Sequence, residues 1–263
     1  MYGSGIEIPK VSFSLIDCNK IGANSYFIGF DMDSGGQFSK MDCNGIITVI
    51  EGGGTSIITE GSGTGSTYRN GNQNTANGNY STISGGLYNT TSGYGSIIGG
   101  GYCNRSCCNY STIGGGVNNS AVGAYSIIAG GQANSTNGAF STIIGGGGNV
   151  ASFNSTIGGG SLNTASGYCS TVSGGVCNTI SGNGSSIGGG SFNTILANCS
   201  TIVGGRCNTT ACNFSFIVGT CITSDRTCTT FVNNLSIKNI PTSSSGLPSG
   251  SVWSDSGILK IVP

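Results

Sequence analysis

Twelve cysteines are the most reactive side chains of this sequence, because a thiol can ligate metals, form disulfides or act as a nucleophile. No pair has the Cys-x-x-Cys spacing of zinc and redox sites, and the chain contains no histidine to complete a mixed site. The cysteine spacing therefore predicts no metal centre.

The carboxylates offer no catalytic pair either, because the long segment between Glu60 and Asp225 contains no acidic residue. Without histidine, a Ser-His or Cys-His nucleophile is also impossible. Asp31 and Asp33 fall in a predicted turn but lack the further oxygens of a calcium loop, so solvated turn residues are the favoured interpretation. We predict a protein that is not an enzyme and that binds no cofactor or metal.

The organising feature of the chain is a repeat of 15 residues, which runs from Ser66 to about Thr230. Its consensus is Ser-Thr-Ile-x-Gly-Gly-x-x-Asn-Thr-Ala-x-Gly-x-Tyr, and we number these residues as positions 1 to 15 of a rung. The rungs begin at Ser66, Ser81, Ser96, Ser111, Ser126, Ser141, Ser155, Ser170, Ser185, Ser200 and Ser215. A period this short predicts an all-β fold: a parallel β-solenoid (β-roll) of about eleven rungs, each with two short strands and two turns.

Three sets of positions carry the predicted structural columns. Position 3 is β-branched and predicts an internal ladder, with the serine at position 1 facing the same side; the ladder is Ile83, Ile98, Ile113, Ile128, Ile143, Ile157, Val172, Ile187, Ile202 and Ile217. Glycines at positions 5 and 6 predict a corner with positive φ or close backbone approach. Position 9 predicts a left-handed turn with a ladder of stacked amides, formed by Asn74, Asn89, Asn104, Asn119, Asn134, Asn149, Asn163, Asn178, Asn193 and Asn208.

Within the repeat, the cysteines replace other residues in fixed columns. Cys177 and Cys207 lie two rungs apart, about 9.6 Å on a rise of about 4.8 Å, which is beyond disulfide reach. Cys103 with Cys108, and Cys207 with Cys212, fall within single rungs and remain as alternatives for pairing. Free thiols that act as small apolar fillers are the favoured interpretation.

The rung resembles the head repeats of trimeric autotransporter adhesins, whose left-handed parallel β-rolls use units of similar length built on Ser-Val-Ala-Ile-Gly. The resemblance covers about 160 of the 263 residues. Here the unit is one residue longer, and its regular bulky side chain stands two after the serine, where the family has bulky residues one and three after it. The coiled-coil stalk and membrane anchor of that family are not found in this sequence. The resemblance implies a trimeric surface fibre.

The segment before the repeat predicts a small β module. Apolar and polar residues alternate over residues 11–16, 26–30 and 46–50, with turn residues between them, which is typical of strands joined by hairpin turns. We assign residues 1–60 to this attachment or cap module and residues 61–230 to the rod.

Residues 231–263 predict a C-terminal cap, with an exposed strand over residues 231–240 and a hairpin that turns at Asp255-Ser256-Gly257. Trp253, the only tryptophan, is the predicted anchor of this hairpin. The segment resembles short C-terminal modules of bacteriophage tail-fibre and related virion proteins, in which Leu-Pro, a Trp and a closing Gly-x-Leu-Lys-Ile/Val recur. This second resemblance covers some 16 to 30 residues and implies a virion protein.

The composition and charge of the chain limit the kinds of molecule that it can bind. The formal net charge is zero and only 7% of residues are charged; between Glu60 and Asp225 the only charged residues are Arg69, Arg105 and Arg206. Such a surface argues against nucleic acid and suits a neutral glycan, a protein, a flat solid or copies of the same chain. The sequence shows no signal peptide and no apolar run of about 18 residues, so we expect synthesis in the cytoplasm and no membrane insertion.

Two functions of different classes fit these observations. The first is a fibre or spike component of a phage-like virus, in contact with other virion proteins and with a host surface; a cellular surface adhesin is its close variant. The second is an ice-binding or solid-binding solenoid, which needs a regular array of outward hydroxyls. Position 2 is mostly threonine, but Ile97, Ile127 and Phe216 interrupt it, so the fibre is favoured.

A homotrimer is the predicted working unit. By strand parity, position 15 should share the outward side of the strand with position 2, which predicts a long apolar stripe of Tyr80, Tyr110, Tyr125, Phe140 and Phe214. Three copies packed around a common axis would bury this stripe. The alternative is a monomer with aromatic side chains stacked on its outside.

Overall fold

In the computed structural model, the described residues are 27–31, 37–41, 47–50, 58–69, 73–234, 236 and 240–263. The first strands are β1 (Phe27–Asp31), β2 (Gln37–Met41) and β3 (Ile47–Ile50), which form an antiparallel sheet in the order β1-β2-β3. β1 and β3 match predicted strands, whereas β2 was not predicted because its sequence lies between two turn signals. The predicted strand over residues 11–16 lies outside the described residues.

The rod consists of very short strands, most of them two residues long. In chain order they are β4 (Ile58–Glu60), β5 (Thr67–Arg69), β6 (Thr75–Ala76), β7 (Thr82–Ile83), β8 (Thr90–Thr91), β9 (Ile97–Ile98), β10 (Arg105–Ser106), β11 (Thr112–Ile113), β12 (Ser120–Ala121), β13 (Ile127–Ile128), β14 (Ser135–Thr136), β15 (Thr142–Ile143), β16 (Val150–Ala151), β17 (Thr156–Ile157), β18 (Thr164–Ala165), β19 (Thr171–Val172), β20 (Thr179–Ile180), β21 (Ser186–Ile187), β22 (Thr194–Ile195), β23 (Thr201–Ile202), β24 (Thr209–Thr210), β25 (Phe216–Val218), β26 (Thr223–Ser224) and β27 (Thr230–Val232). Each rung contributes one strand at positions 2 and 3 and a second at positions 10 and 11.

These strands form two long parallel sheets. The isoleucine sheet has 13 strands, which are the odd-numbered strands from β5 to β27 together with β4 at its start. The threonine sheet has 11 strands, the even-numbered strands from β6 to β26. Every strand except β4 pairs in parallel and in register with its counterpart one rung away, as Ile113 does with Ile128. The predicted all-β parallel solenoid of about eleven rungs is therefore confirmed.

A third line of contact joins successive rungs at position 7. Single-residue parallel bridges connect Leu87 to Tyr102 and continue rung by rung as far as Arg206. Isolated bridges of this kind have no period-2 pattern in sequence, because one residue shows no alternation. The sequence therefore did not predict this third side.

The core lies between the two sheets. All ten predicted ladder residues at position 3 are at most 1% exposed, and the serines at position 1 are buried beside them. The facing column at position 11 is smaller and more polar: Ala76, Thr91, Ser106, Ala121, Thr136, Ala151, Ala165, Ile180, Ile195, Thr210 and Ser224. One column of large side chains against one of small side chains keeps the core narrow and closely packed.

Two larger residues in the small column change the bonding of their neighbours. In most rungs the serine hydroxyl donates to the carbonyl three residues before it, as Ser126 does to Gly123 at 2.6 Å. Ser185 follows Ile180, and its hydroxyl donates instead to the carbonyl two residues back, at 3.2 Å. Ser200 follows Ile195 and makes the same change. The core therefore accepts extra volume by a rotation of the adjacent serine.

Both ends of the rod differ from the predicted boundaries. At the start, β4 pairs antiparallel with β5 and covers the first edge of the isoleucine sheet. At the end, β27 stacks in parallel on β25, with Phe231 in the isoleucine column beside Ile217. The rod sheet thus runs from Ile58 to Val232. Of the predicted exposed strand over residues 231–240, Phe231 and Val232 belong to β27, and the described residues 233, 234, 236 and 240 lie in no strand; residues 235 and 237–239 lie outside the described residues. Apolar residues of the rod extend past the repeat because the last rung also needs a covering layer.

The C-terminal hairpin consists of β28 (Val252–Asp255) and β29 (Ile258–Ile261), paired antiparallel. Ser256 and Gly257 connect them with φ values of 52° and 87°, as a two-residue type I′ turn requires. Trp253 is half-buried, and the Lys260 ammonium lies 5.5 Å from the centre of its ring.

Candidate interaction surface

Each rung has a sealed corner at positions 5 to 9, which we call the asparagine corner. The glycine at position 6 has φ between 80° and 93°, a region that favours glycine. A Cβ added to Gly131 would lie 2.2 Å from the carbonyl oxygen of Gly146 in the next rung. At position 5, a Cβ added to Gly130 would meet nothing within 4 Å. Only the second of the two glycines is therefore required by close packing between rungs.

The asparagines at position 9 seal this corner from inside. The Asn104 amide donates to Gly100 O in its own rung at 3.0 Å and to Gly116 O in the next rung at 2.9 Å. Its Oδ1 accepts from the backbone N–H of Asn119 at 2.9 Å. The same three bonds recur in every rung from Asn89 to Asn208, and the ten predicted ladder asparagines are at most 4% exposed.

Two details of the predicted asparagine ladder are wrong. The left-handed residue is at position 8, with φ between 50° and 65°, and not at position 9. The amides bond mainly to backbone groups; among the described residues, amide-to-amide bonds occur only from Asn193 to Asn178 and from Asn208 to Asn193, both at 3.0 Å. Backbone bonding prevails because the turn leaves buried carbonyls that need a donor.

The second corner, at positions 13 to 15, is open to solvent, and we call it the aromatic corner. Position 15 is left-handed in every rung, with φ between 52° and 63°. The parity argument that placed position 15 on the outward side of the strand is therefore wrong, because alternation does not continue into a turn. Its side chains are nonetheless exposed; Phe140, for example, is 59% exposed.

Five aromatic side chains contact one another along this corner over successive rungs, and we call them the aromatic ladder; the two contacts of Tyr94 are edge-to-face and the other two are stacked. They are Tyr80, Tyr94, Tyr110, Tyr125 and Phe140, with neighbouring ring centres 5.2, 5.5, 5.1 and 5.1 Å apart. Tyr94 comes from position 14 and occupies the space left by Gly95 at position 15. Sequence reasoning by columns missed it, since it stands one column away from its neighbours. The ladder spans four rung steps, about 19 Å.

Phe214 does not belong to the aromatic ladder. Four rungs separate it from Phe140, and position 15 there carries Asn154, Cys169, Gly184 and Cys199. Of the predicted trimer residues, the structure thus brings Tyr80, Tyr110, Tyr125 and Phe140 together and leaves Phe214 apart. The predicted continuous stripe along the whole rod is wrong: among the described residues, the rings in contact at this corner extend only from Tyr80 to Phe140. The exposed rings of the second half, such as Phe192 and Phe214, stand outside this row.

A second asparagine ladder accompanies the aromatic corner at position 14, on the outside of the rod. Asn198 Oδ1 accepts from the backbone N–H of Asn183, and Asn213 Oδ1 accepts from that of Asn198, both at 2.8 Å. The same bond joins Asn109 to Tyr94 and Asn183 to Tyr168. The sequence signal was present as Asn79, Asn109, Asn183, Asn198 and Asn213, but interruptions by other residues concealed it.

The outer face of the threonine sheet presents a file of hydroxyls at position 10. Its uninterrupted part is Thr164, Thr179, Thr194, Thr209 and Thr223, all paired in register. At position 2, on the isoleucine sheet, Ile97, Ile127 and Phe216 are exposed among the threonines. The regular hydroxyl array therefore lies on the other sheet from the one considered.

The titratable groups of the described residues are scattered. Burial raises the pKa of the Cys108 thiol, and a hydrogen bond with Cys103 raises the pKa of Tyr102. The Arg226 guanidinium lowers the pKa of the exposed Asp225, and the Lys260 ammonium lowers the pKa of the half-buried Asp255. No three cysteine or carboxylate side chains meet as a metal site in this part of the chain, and none of its ten cysteines is disulfide-bonded.

The described residues also contain no helix long and apolar enough to cross a membrane. No protein-family model matches this chain, and no curated protein matches it either.

Proposed function

We propose that this chain is a non-enzymatic fibre or spike component of a phage-like virus particle, in which the rod holds or presents a surface for attachment to a host. The aromatic ladder is the observation that carries this proposal. Its rings are 42% to 59% exposed and touch one another over five successive rungs, in a rod that carries few charges. The resemblance of the repeat to adhesin heads and of the C-terminal segment to tail-fibre modules supports it.

The proposed working unit is a homotrimer, in which the aromatic ladders of three copies face a common axis. Five large rings in contact form a contiguous apolar patch, and soluble monomers rarely leave such a patch uncovered. A second copy suits this patch because the segment between Glu60 and Asp225 has no acidic residue and only three basic ones to repel or orient it. Identical copies side by side would also give a multivalent attachment surface.

Light scattering on the purified chain tests the trimer. The expected mass is three times the chain mass of 26.1 kDa. A Tyr110→Asn, Tyr125→Asn variant should shift the mass to one chain, because two rings are removed from the middle of the ladder. Asn154 holds the same left-handed position in the native chain, so asparagine keeps the backbone and leaves the rod folded.

Phe214→Asn is the matched control, since it removes an exposed ring of the same column outside the ladder and should leave the mass unchanged. A mass of one chain for the unaltered protein at micromolar concentration would contradict the trimer. Equal masses for the unaltered chain and the double variant would place the interface on another face.

Imaging of native particles tests the attachment role. Antibodies against the rod, bound to particles from the organism that encodes this chain, should label a projecting appendage. Binding of the purified protein to host cells should fall when the particles are added as competitors. Labelling of the particle interior, or none at all, would rule the proposal out.

A second candidate function, binding to ice or another ordered solid, is favoured by the hydroxyl file on the threonine sheet. Its five threonines repeat at about 4.8 Å on a sheet face. A regular spacing of this kind is needed to bind the regularly spaced groups of an ordered solid. Thermal hysteresis in the unaltered protein, abolished by Thr179→Lys with Thr194→Lys but kept with Thr171→Lys on the other sheet, would establish it. Absence of thermal hysteresis would exclude the ice-binding form.

A further inference from the structure

Two exposed cysteines occupy the same column in successive rungs at the end of the rod. Cys207 and Cys221 both stand at position 8, with φ values of 57° and 56°. The backbone N–H of Cys207 donates to Ser191 O at 3.0 Å, and that of Cys221 donates to Arg206 O at 2.8 Å, the bond that position 8 makes in each rung. The shared column of Cys207 and Cys221 is not evident from the sequence, because the last rung is one residue shorter before position 8.

Stacking in register brings the two residues within disulfide range. Neighbouring rungs of a parallel sheet are about 4.8 Å apart, inside the roughly 4.4–6.8 Å window of Cα separations in disulfides. Cys177 and Cys207 belong to the same column but have Phe192 between them, so they are about twice as far apart. Cys212, the cysteine between these two in the sequence, is half-buried, and its thiol lies 3.8 Å from Ser224 O.

We propose that Cys207 and Cys221 form a disulfide between rungs when the folded chain meets a disulfide oxidant such as glutathione disulfide. The thiolate of one cysteine attacks glutathione disulfide and releases one glutathione thiolate. The second cysteine, as thiolate, then attacks the mixed disulfide and releases the other. Two thiols are oxidised, one glutathione disulfide is reduced to two glutathiones, and the two protons pass to the released thiolates.

The bond would fix the last rung to the rod. It closes a short loop that includes β24 and β25 and holds β26 and β27 in place beyond it. Terminal rungs of a solenoid have a neighbour on one side only and open most readily, so a covalent link acts where opening begins. A chain made in a reducing compartment would gain this link only after release into an oxidising one.

Peptide mapping of the full chain tests the proposal. The folded protein is equilibrated with glutathione disulfide, its remaining thiols are alkylated, and it is digested after Arg206 and Arg226. The peptide over residues 207–226 should then lack two hydrogens and carry one alkyl group, on Cys212. Further cleavage after Phe214 and Phe216 should leave the fragments holding Cys207 and Cys221 joined until a reductant is added.

Variants make the assignment specific. Cys207→Ser or Cys221→Ser should abolish the bond, whereas Cys212→Ser and the column control Cys177→Ser should leave it unchanged. Oxidation should also slow amide exchange of Thr209 and Phe216, whose N–H groups donate to Ile222 O and Thr229 O of the last rung, by roughly a hundredfold, the effect expected for a loop of this length. Full alkylation of both thiols in the oxidised folded protein, or equal pairing in chain unfolded by denaturant, would overturn the proposal.

Discussion

The two corners of each rung have the same left-handed backbone conformation, yet they differ in which residues they accept. At the asparagine corner, positions 6 and 9 are almost always glycine and asparagine. At the aromatic corner, position 15 holds tyrosine, phenylalanine, cysteine, asparagine or glycine. The difference follows from burial: backbone carbonyls inside the first corner need donors, whereas the second corner faces solvent.

A left-handed conformation by itself costs a non-glycine residue only about 1–2 kcal/mol. The rod tolerates this cost at position 8 and position 15 of nearly every rung. Strict residue identity appears only where a side chain would collide with the next rung or leave buried groups unbonded. Fixed columns therefore mark what the fold requires, and variable columns are free to serve a surface.

The largest effect is expected from Gly131→Ala. Its φ of 93° and the 2.2 Å approach of the added Cβ to Gly146 O should together lower the free energy of unfolding by roughly 3–5 kcal/mol. Gly130→Ala, one residue earlier and with open space around the new Cβ, should change it by less than about 1 kcal/mol. Denaturant unfolding measures both, and equal losses would show that the two glycines are equivalent.

A smaller loss is expected from Asn134→Ala at the same corner. The change removes amide bonds to Gly130 O and Gly146 O and the acceptor for Asn149 N–H, all at 3.0 Å. Buried groups left without partners should cost roughly 3 kcal/mol in thermal or denaturant unfolding. The control is Asn118→Ala, an exposed left-handed residue in the column that natively contains Ala133. A comparable loss in the control would contradict the importance of burial.

The sequence alone was sufficient for the solenoid, since glycine, isoleucine and asparagine recur wherever rungs must match. The sequence did not predict the side-chain directions at the corners. Period-2 alternation predicts which face of the sheet a side chain is on only within a strand, and position 15 lies in a turn. Sequence reasoning also missed Tyr94, which reaches the aromatic ladder from the neighbouring column. Residues that share a column across the shortened last rung, such as Cys207 and Cys221, are recognised only when that rung is aligned in space.

In the described part of the core, too, some buried hydroxyl groups have a hydrogen-bond partner and others do not. Thr136 Oγ1 lies 2.8 Å from Ser126 Oγ, whereas Thr210 Oγ1 is buried without a hydrogen-bond partner among the described residues. Thr210→Val should therefore raise the free energy of unfolding by about 1 kcal/mol. Thr136→Val should lower it by a similar amount. Calorimetry of both variants that gave the same sign would refute this distinction.

The smallest effect is expected from Cys199→Asn at the aromatic corner. Asn154 already occupies the same column, and asparagine adopts the left-handed conformation more readily than cysteine. The free energy of unfolding should stay within about 0.5 kcal/mol of its original value. A loss near that of Asn134→Ala would show that the aromatic corner is as strictly determined as the asparagine corner.

The in-register contact between rungs also governs how such a gene can change length. Each interior rung makes the same bonds to the rung before it and the rung after it, so duplication or deletion of a whole 15-residue unit leaves every junction equivalent. Recombination between near-identical repeats would then lengthen or shorten the rod in steps of about 4.8 Å without a new fold. The rung of 14 residues before Ser155 keeps both sheets in register, so even a lost residue is absorbed when it falls in a corner.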